Sequence, residues 1–563
     1  MPFRLPIQPG LTDAATPASA NAPPPVSALS PLQYPIFRRV WSANLVSSLG
    51  GLIQSVGASW MMISLAQSAD MVALVQASVT LPIMLLSLIA GAMADNLDRR
   101  KVMLGAQSFM LVASAALSIC AWTGVLTPWL LLTFTFLIGC GGAFNQPAWQ
   151  ATVADMVPRA ELPGAVALNS MGFNLARSVG PAIGGAIVAA FGAAAAFAVN
   201  SLSYVALISV LARWRLPADP QRMPRESLGI AVTVGIRYMA MSPAIATVLL
   251  RSAAFCIGAS AVMSLMPLIA KELISGGPLT FGALLGGFGV GAVGGAVVTA
   301  RLRKMWSTEV IVRSATIGFG IAAAGAALST HVVLTMAALS LAGASWVLAL
   351  ATFNVAVQMS APRWVLARAL SIYQMSAFGG LAAGSWLWGI VATHAGLRIT
   401  LLLAAAIILF GALLGRWFRL EQAEALNLDP LRLWREPATA VPVQPTTGPV
   451  VVTVEYLIDA DDVLAFLGAM AELRRIRRRD GALNWRLLRD LADAQIWIER
   501  YETPTWVDYI RLTNRLTQDD ALIRESLHSL HRGKEPPRVR RMIERQTSLP
   551  VRGADASTEL TET

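Results

Sequence analysis

Residues 91–101 read Gly91-Ala92-Met93-Ala94-Asp95-Asn96-Leu97-Asp98-Arg99-Arg100-Lys101. One apolar run ends near Ala94 and the next begins near Val102. Asp95, Asp98, Arg99, Arg100 and Lys101 cannot all sit in hydrocarbon, so the chain must leave the bilayer here. Gly91 and the alanines after it let two helices approach closely just before the turn. A short loop with both signs of charge between two membrane-length runs reads as a cytoplasmic loop.

Composition agrees. Of 563 residues, 55% are hydrophobic and 14% charged, against about 25% charged in soluble domains. Most of the chain is therefore lipid-embedded. The net charge of +11 is no nucleic-acid signal, because the basic residues flank the apolar runs or fall in a C-terminal domain. Cys120, Cys140 and Cys256 lie inside apolar runs and read as buried free thiols, with no disulfide framework. Residues 1–34 are rich in Ala, Pro and Ser. They lack a signal-like apolar core and read as a disordered tail, as do residues 551–563.

A membrane helix needs about 20 apolar residues. Such runs fall near 40–65, 72–94, 102–122, 128–150, 165–189, 194–213, 246–270, 281–300, 309–328, 332–357, 368–392 and 399–418. Lys and Arg concentrate on one side: Arg38 and Arg39, Arg99 to Lys101, Arg159, Arg213 to Arg225, Arg301 to Lys304, Arg363, Arg416 and Arg419. The other side has only Lys271 and Arg398. By the positive-inside rule both termini and the middle loop are cytoplasmic.

The chain also repeats at an offset of 204: Gly91 maps to Gly295, Arg99 to Arg303, Arg100 to Lys304, Gly139 to Gly343, Gly180 to Gly384 and Gly185 to Gly389. Two six-helix bundles of like orientation follow, 35–213 and 244–420, with the substrate path expected between them. Asp95 maps to Thr299, so the second copy of the charged turn lacks that acid. The segment 214–243 is a proline-punctuated central loop. Its Gly235-Ile236-Arg237-Tyr238 stretch is expected on an interfacial surface helix.

The charged turn resembles the loop between helices 2 and 3 of the major facilitator superfamily, roughly Gly-x-x-x-Asp-x-x-(Gly/Asp)-Arg-(Arg/Lys). Gly91, Asp95, Asp98, Arg99 and Arg100 fill its positions. The resemblance implies an all-α membrane fold of twelve helices in a 6+6 parallel repeat. It also implies that the first acid belongs to a cytoplasmic gate joining the halves; a plain positive-inside loop is the simpler alternative. Helix 5 carries Gly180-Pro181-Ala182-Ile183-Gly184-Gly185, which partly resembles the helix-5 motif of the superfamily's export branch. Close packing and a kink account for the same residues.

Arg177 lies roughly 20 Å into helix 5 at about 1.5 Å per residue. A cation at that depth is costly and faces either a cavity or backbone carbonyls; a cavity-facing Arg177 would attract an anionic group of the substrate. Arg251, near the start of helix 7, is expected to snorkel to the interface. Asn44, Gln54, Asn145, Gln146, Asn354, Gln358 and Gln374 are the other candidates for the path. With Trp60, Trp149, Trp346, Trp386 and Trp388 they suggest an amphiphilic organic substrate. No phosphate-binding Gly-x-x-x-x-Gly-Lys-(Ser/Thr) loop occurs, so direct use of ATP is not expected. Proton antiport is what the superfamily resemblance implies.

After Leu420 the chain becomes polar. Residues 421–447 read as a linker and 448–550 as a βαββαβ domain, an α+β ferredoxin-like unit resembling the dimeric α/β barrels of small haem-degrading and antibiotic-biosynthesis monooxygenases. His528 and His531 share a helix face, and no third metal ligand accompanies them. The layout from about 35 to 545 resembles the enterobactin-exporter-like, transmembrane secretion effector branch. That resemblance implies a secondary exporter of a siderophore or drug-like molecule in a bacterial inner membrane. Its partners would be substrate and lipid rather than nucleic acid, with no cofactor, and a homodimer could form through the tail. The alternative is a membrane-anchored enzyme whose active part is the tail.

Overall fold

The computed structural model describes residues 30–544 apart from 67, 159–160, 215–235, 363–364, 421–438 and 517. The sequence readings on 1–29, most of the linker and 545–563 lie outside the described residues. Ser30–Gln33 form a 3-10 turn whose Pro31 is buried.

The first six long helices are α1 (Pro35–Leu65), α2 (Ala69–Asn96), α3 (Arg99–Trp122), α4 (Pro128–Met156), α5 (Leu162–Phe191) and α6 (Ala193–Arg213). The second six are α7 (Pro243–Leu268), α8 (Pro278–Met305), α9 (Thr308–Leu328), α10 (Val332–Ser360), α11 (Leu366–Ala395) and α12 (Leu397–Gly411). Among the described residues eleven of these helices are long and apolar enough to cross a membrane, and the 30-residue α5 completes the two sets of six. The starts follow local chemistry. Proline opens α1, α4, α7 and α8, where its missing N–H would have had no partner. The Asp98 side chain caps α3 by accepting from the N–H groups of Arg100 and Lys101.

The repeat is visible in the helix limits. α10, α11 and the start of α12 lie 204 residues after α4, α5 and the start of α6. Gly192 (φ 80°) and Gly396 (φ 82°) stand at the same offset. Each is the single residue joining two helices, in a left-handed conformation that glycine adopts without a Cβ clash.

Contacts sort the helix ends onto two faces. Gly164 near the start of α5 lies against Pro31, and Arg100 reaches the last turn of α6. Ser87 near the end of α2 donates to the carbonyl of Ser371 near the start of α11. This face holds the charged turn and is called the basic face below. On the opposite face the Asp70 N–H donates to Thr393, and Trp60 stacks on Phe281 at 6.5 Å. Trp122 and Trp129 are exposed toward the opposite face, Trp306 and Trp417 toward the basic face, as aromatic belts at the two membrane interfaces would be.

Arg251 departs from the expectation. It is 4% exposed and ion-paired to Glu309 at the start of α9, instead of snorkelling to the interface. Glu309 also accepts from the Leu420 N–H at 3.1 Å. The pair thus ties α7, α9 and the segment that follows α12 together.

The tail holds β1 (Val450–Leu457), α13 (Val463–Asp480), β2 (Leu483–Arg489), β3 (Ile496–Thr503), α14 (Trp506–Asn514), α15 (Gln518–Leu530) and β4 (Arg538–Ile543). They form an antiparallel sheet in the order β2-β3-β1-β4. Alternation sets which face is buried. Val450, Val452, Val454 and Tyr456 point inward to meet Phe466, Met470, Leu473 and Trp497 on one side and Trp506, Tyr509 and Leu512 on the other. Residues 236–240 are helical, as the sequence suggests, but Tyr238 and Met239 are 3% exposed rather than superficial. The tail and the entry to α7 cover them.

Candidate functional site

The charged turn is held by backbone carbonyls. Arg99 donates from Nε to the carbonyl of Ala94 at 3.2 Å and from Nη1 to that of Ala151 at 3.0 Å. Arg100 donates to the carbonyls of Leu211 and Ala212, at 2.7 and 2.8 Å, in the last turn of α6. A helix C-terminus offers unpaired carbonyls and the negative end of its dipole, so a guanidinium satisfies both. The second half repeats the device, with Arg303 donating to the carbonyl of Ala351 on α10 at 2.6 Å. Asp98 serves as the α3 cap. Asp95 lies in the last turn of α2, and its side chain is outside the described residues. Contact between the halves at this level comes from Gly91, where a Cβ would stand 3.2 Å from Ser371 Oγ.

A cleft of about 310 Å³ opens on the basic-face half of the first bundle. Trp41, Asn44 and Ser48 of α1, Gln146, Trp149 and Gln150 of α4, and Asn169 and Phe173 of α5 are among its lining residues. Both indole N–H groups already have partners: Trp41 donates to the carbonyl of Leu168 at 3.3 Å and Trp149 to Asn169 Oδ1 at 3.0 Å. Asn44, Ser48, Gln146 and Gln150 line the cleft and make no side-chain hydrogen bond to another described residue. The cleft wall therefore offers aromatic surface with amide donors and acceptors, and no charge. Pro147, inside α4, has no N–H to give the carbonyl one turn back, which loosens the helix beside these glutamines.

Among the described residues the second half fills the equivalent positions with buried side chains. The residues 204 positions on from Trp41, Asn44, Ser48, Trp149 and Phe173 are Ile245, Val248, Ser252, Phe353 and Ala377, all buried. Asn354, the mate of Gln150, is occupied by its own helix, because Gln358 donates to it. Phe255, Phe319, Trp346 and Phe353 fill the space with ring contacts of 5.5 to 6.5 Å.

The remaining candidates separate. Gln54 is 4% exposed and accepts from Ser114 at 2.7 Å and Asn200 at 2.6 Å. It lies in a satisfied polar core joining α1, α3 and α6, away from the cleft. Asn145 is buried with its Oδ1 unpartnered and does not line the cleft. Gln374 is half-buried on α11. Arg177 is half-buried, and its guanidinium lies 5.5 Å from the centre of the Phe288 ring on α8. It thus faces the other half, not the cleft.

The helix-5 motif builds two contacts. A Cβ on Gly184 would stand 3.0 Å from the Cα of Ile53 on α1, and one on Gly180 3.0 Å from Leu52 Cβ. Gly185 meets the first turns of α8 across the halves, where a Cβ on it would stand 2.8 Å from the Pro278 carbonyl oxygen and 3.0 Å from the Gly282 Cα, while a Cβ on Gly282 would meet the Pro181 carbonyl. The mate of Gly185, Gly389 on α11, meets the first turn of α2, where a Cβ on it would stand 2.8 Å from Asp70 Cα and from Ala73 Cβ. Two glycine seams at one offset thus close the opposite face. Beyond a further close approach at Gly289, where a Cβ would stand 2.7 Å from the Ser178 Cα, α5 and α8 border an apolar groove of about 490 Å³ toward the basic face, lined by Leu175, Ser178, Val290, Val293 and Val297 among others.

Among the described residues of the tail, His531 is held by backbone groups. His531 Nδ1 accepts from the Leu457 N–H at 3.0 Å, so Nε2 carries the proton and donates to the Glu535 carbonyl at 2.9 Å. Both ring nitrogens are used. Among the described residues no group of His, Cys, Asp and Glu could hold a metal.

Comparison with known proteins agrees with this architecture. The chain is similar to the staphyloferrin A transporter of Staphylococcus aureus, at 24% identity over 62% of this chain and 88% of the relative. It is similar to the multidrug efflux pump Tap of Mycolicibacterium fortuitum, at 24% identity over 66% and 92%. Among solved structures it is similar in fold to the nucleoside transporter NupG, with a TM-score of 0.57 at 12% identity over 68% of this chain and 100% of that one. A bacterial homologue of the human lysosomal transporter Spinster, inward-facing and unoccupied, gives 0.54 at 13% identity over 68% and 96%. The transmembrane secretion effector family matches residues 26–548. With two bundles, a repeated charged turn, a cleft in the first bundle and a match over nearly the whole chain, this protein is a member of the transmembrane secretion effector family.

Proposed function

We propose that the chain is a secondary active exporter of a small organic molecule, siderophore or drug-like, working by alternating access in a bacterial inner membrane. The observation that carries this reading is the charge-free cleft of Trp41, Asn44, Gln146 and Gln150, set on the basic face while glycine seams close the other. Under the positive-inside rule the basic face is cytoplasmic, so the cleft loads from inside and the exit opens when the seams part. Asp95, Asp98, Arg99 and Arg100 with Gly91 form the cytoplasmic gate, and Arg177 guides the substrate between the halves. Export is driven by proton antiport. The relatives bearing siderophore and multidrug names support the substrate range. The tail, ferredoxin-like in strand order, is a regulatory or dimerisation module.

The test is accumulation of labelled siderophores and macrolides in a deletion strain complemented with the wild type or with Gln150→Ala. Lower accumulation with the wild type, restored by a proton uncoupler and by Gln150→Ala, supports the proposal. Accumulation indifferent to the uncoupler removes proton coupling, and indifference to the protein itself removes export of these classes.

A further inference from the structure

The end of α13 rests on the helical turn 236–240. The Arg479 guanidinium lies 5.3 Å from the centre of the Tyr238 ring. A Cβ on Gly481 would come within 3.9 Å of Arg237 Nη2. Arg479 is held from behind by charged partners. It donates to Asp480 at 2.8 and 3.2 Å and to Asp520 at 2.8 Å, while Arg515 donates to the Asp480 carbonyl at 2.6 Å. Arg479, Asp480 and Asp520 are each under a tenth exposed. A buried guanidinium whose position is fixed by two carboxylates is held ready against an aromatic face.

Tyr238 is also buried among apolar side chains. It and Met239 belong to the same buried apolar cluster as Ile245 and Val248 of α7. The turn runs directly into that helix: the Met241 N–H donates to the Arg237 carbonyl at 3.1 Å and the Ser242 N–H to the Met239 carbonyl at 3.2 Å. The tail is also joined covalently to α12. Both attachments therefore lead to the second bundle.

We infer that Tyr238 and Arg479 clip the tail to the segment entering α7, making it a rigid extension of the second bundle whose position against the first bundle reports how far the basic face is open. The clip stands on these contacts alone. The reporting role rests on the alternating access proposed above.

The test uses the full-length chain in lipid nanodiscs with Cys120, Cys140 and Cys256 replaced by serine, and spin-label distance measurement. One pair joins Leu491→Cys, fully exposed on the β2–β3 turn, to Met305→Cys, 76% exposed at the end of α8. A second pair joins Leu491→Cys to Leu97→Cys on the α2–α3 turn. The clip predicts a single narrow peak for the first pair, lost with Tyr238→Ala and kept with Tyr238→Trp, which preserves the ring. A narrow peak that survives Tyr238→Ala, or a broad one in the parent, overturns it. With Gly185→Leu, which wedges the opposite face, the second distance shifts and the first holds. A shift in the first distance overturns the rigid extension. If neither distance moves, the rocking of the halves fails while the Tyr238 series still decides the clip.

Discussion

Gly185 of α5 and Gly282 of α8 approach so closely that a methyl group built on either would lie 3.0 Å from the other's Cα. The halves meet here on the opposite face with no room for any side chain. Gly185→Leu overpacks the seam, a change that typically costs about 1–3 kcal/mol. Here the halves can relieve it by parting. The expected outcome is a protein that still folds, with a small drop in Tm, and whose opposite face becomes open to water-soluble thiol reagents. An unchanged Tm and a closed face would mean that the seam is looser than described.

Arg251 is buried and its partner Glu309 partly buried where α7, α9 and the segment after α12 meet. Glu309→Ala leaves a buried guanidinium without its counter-charge, a loss of about 3–5 kcal/mol. Arg251→Met with Glu309→Leu removes both charges and restores most of the stability. Thermal unfolding of the three proteins measures this, and a single variant as stable as the parent would refute it.

The cleft amides act on transport and not on folding. Gln146 and Gln150 are exposed into the cleft, so Gln146→Ala and Gln150→Ala keep the parent Tm and raise the KM for export. Asn354 and Gln358 satisfy each other on α10, so Gln358→Ala leaves export near the parent level. Equal effects from both pairs would contradict a one-sided cleft.

The tail is expected to respond to pH through Asp480. Burial raises its carboxyl from 3.8 to about 6, opposed by Arg479 and Arg515 and reinforced by Asp520. Arg237 and Tyr238 face the same cluster. A carboxyl raised on folding takes up a proton in the folded state, so its stabilising share is complete below about pH 4 and is lost as pH rises through about 6. His528 opposes this, because burial beside Arg524 lowers its pKa. The measurement is the unfolding temperature of the tail in the full-length protein across that range. The parent gains stability on acidification and Asp480→Asn loses that gain. A slope unchanged by Asp480→Asn would assign it elsewhere.

Much of this architecture is legible in the sequence, and the reasons differ by feature. Hydropathy records which segments meet lipid, so twelve runs correspond to α1–α12. The 204-residue offset carries over to helix limits and to Gly192 and Gly396, because backbone requirements repeat with the fold. Azimuth is not recorded in this way. Gln54 and Gln146 are alike in a run, yet one is satisfied by Ser114 and Asn200 and the other is open to the cleft. Arg251 reads as an interfacial cation until the fold brings in Glu309, 58 residues away. Tyr238 reads as superficial because its cover, Arg479, comes from a separate domain. The one-sidedness of the cleft is visible only once mates such as Asn44 and Val248 are compared by burial.

The central claim is that one cleft is reached from one face at a time. Ser48→Cys in the cysteine-free protein, reconstituted in oriented vesicles, tests it with a membrane-impermeant thiol reagent applied to each face separately. The account predicts labelling from the basic face in the parent, and a shift of labelling to the opposite face with Gly185→Leu. Labelling from neither face, or from both faces at once in the parent, would contradict it.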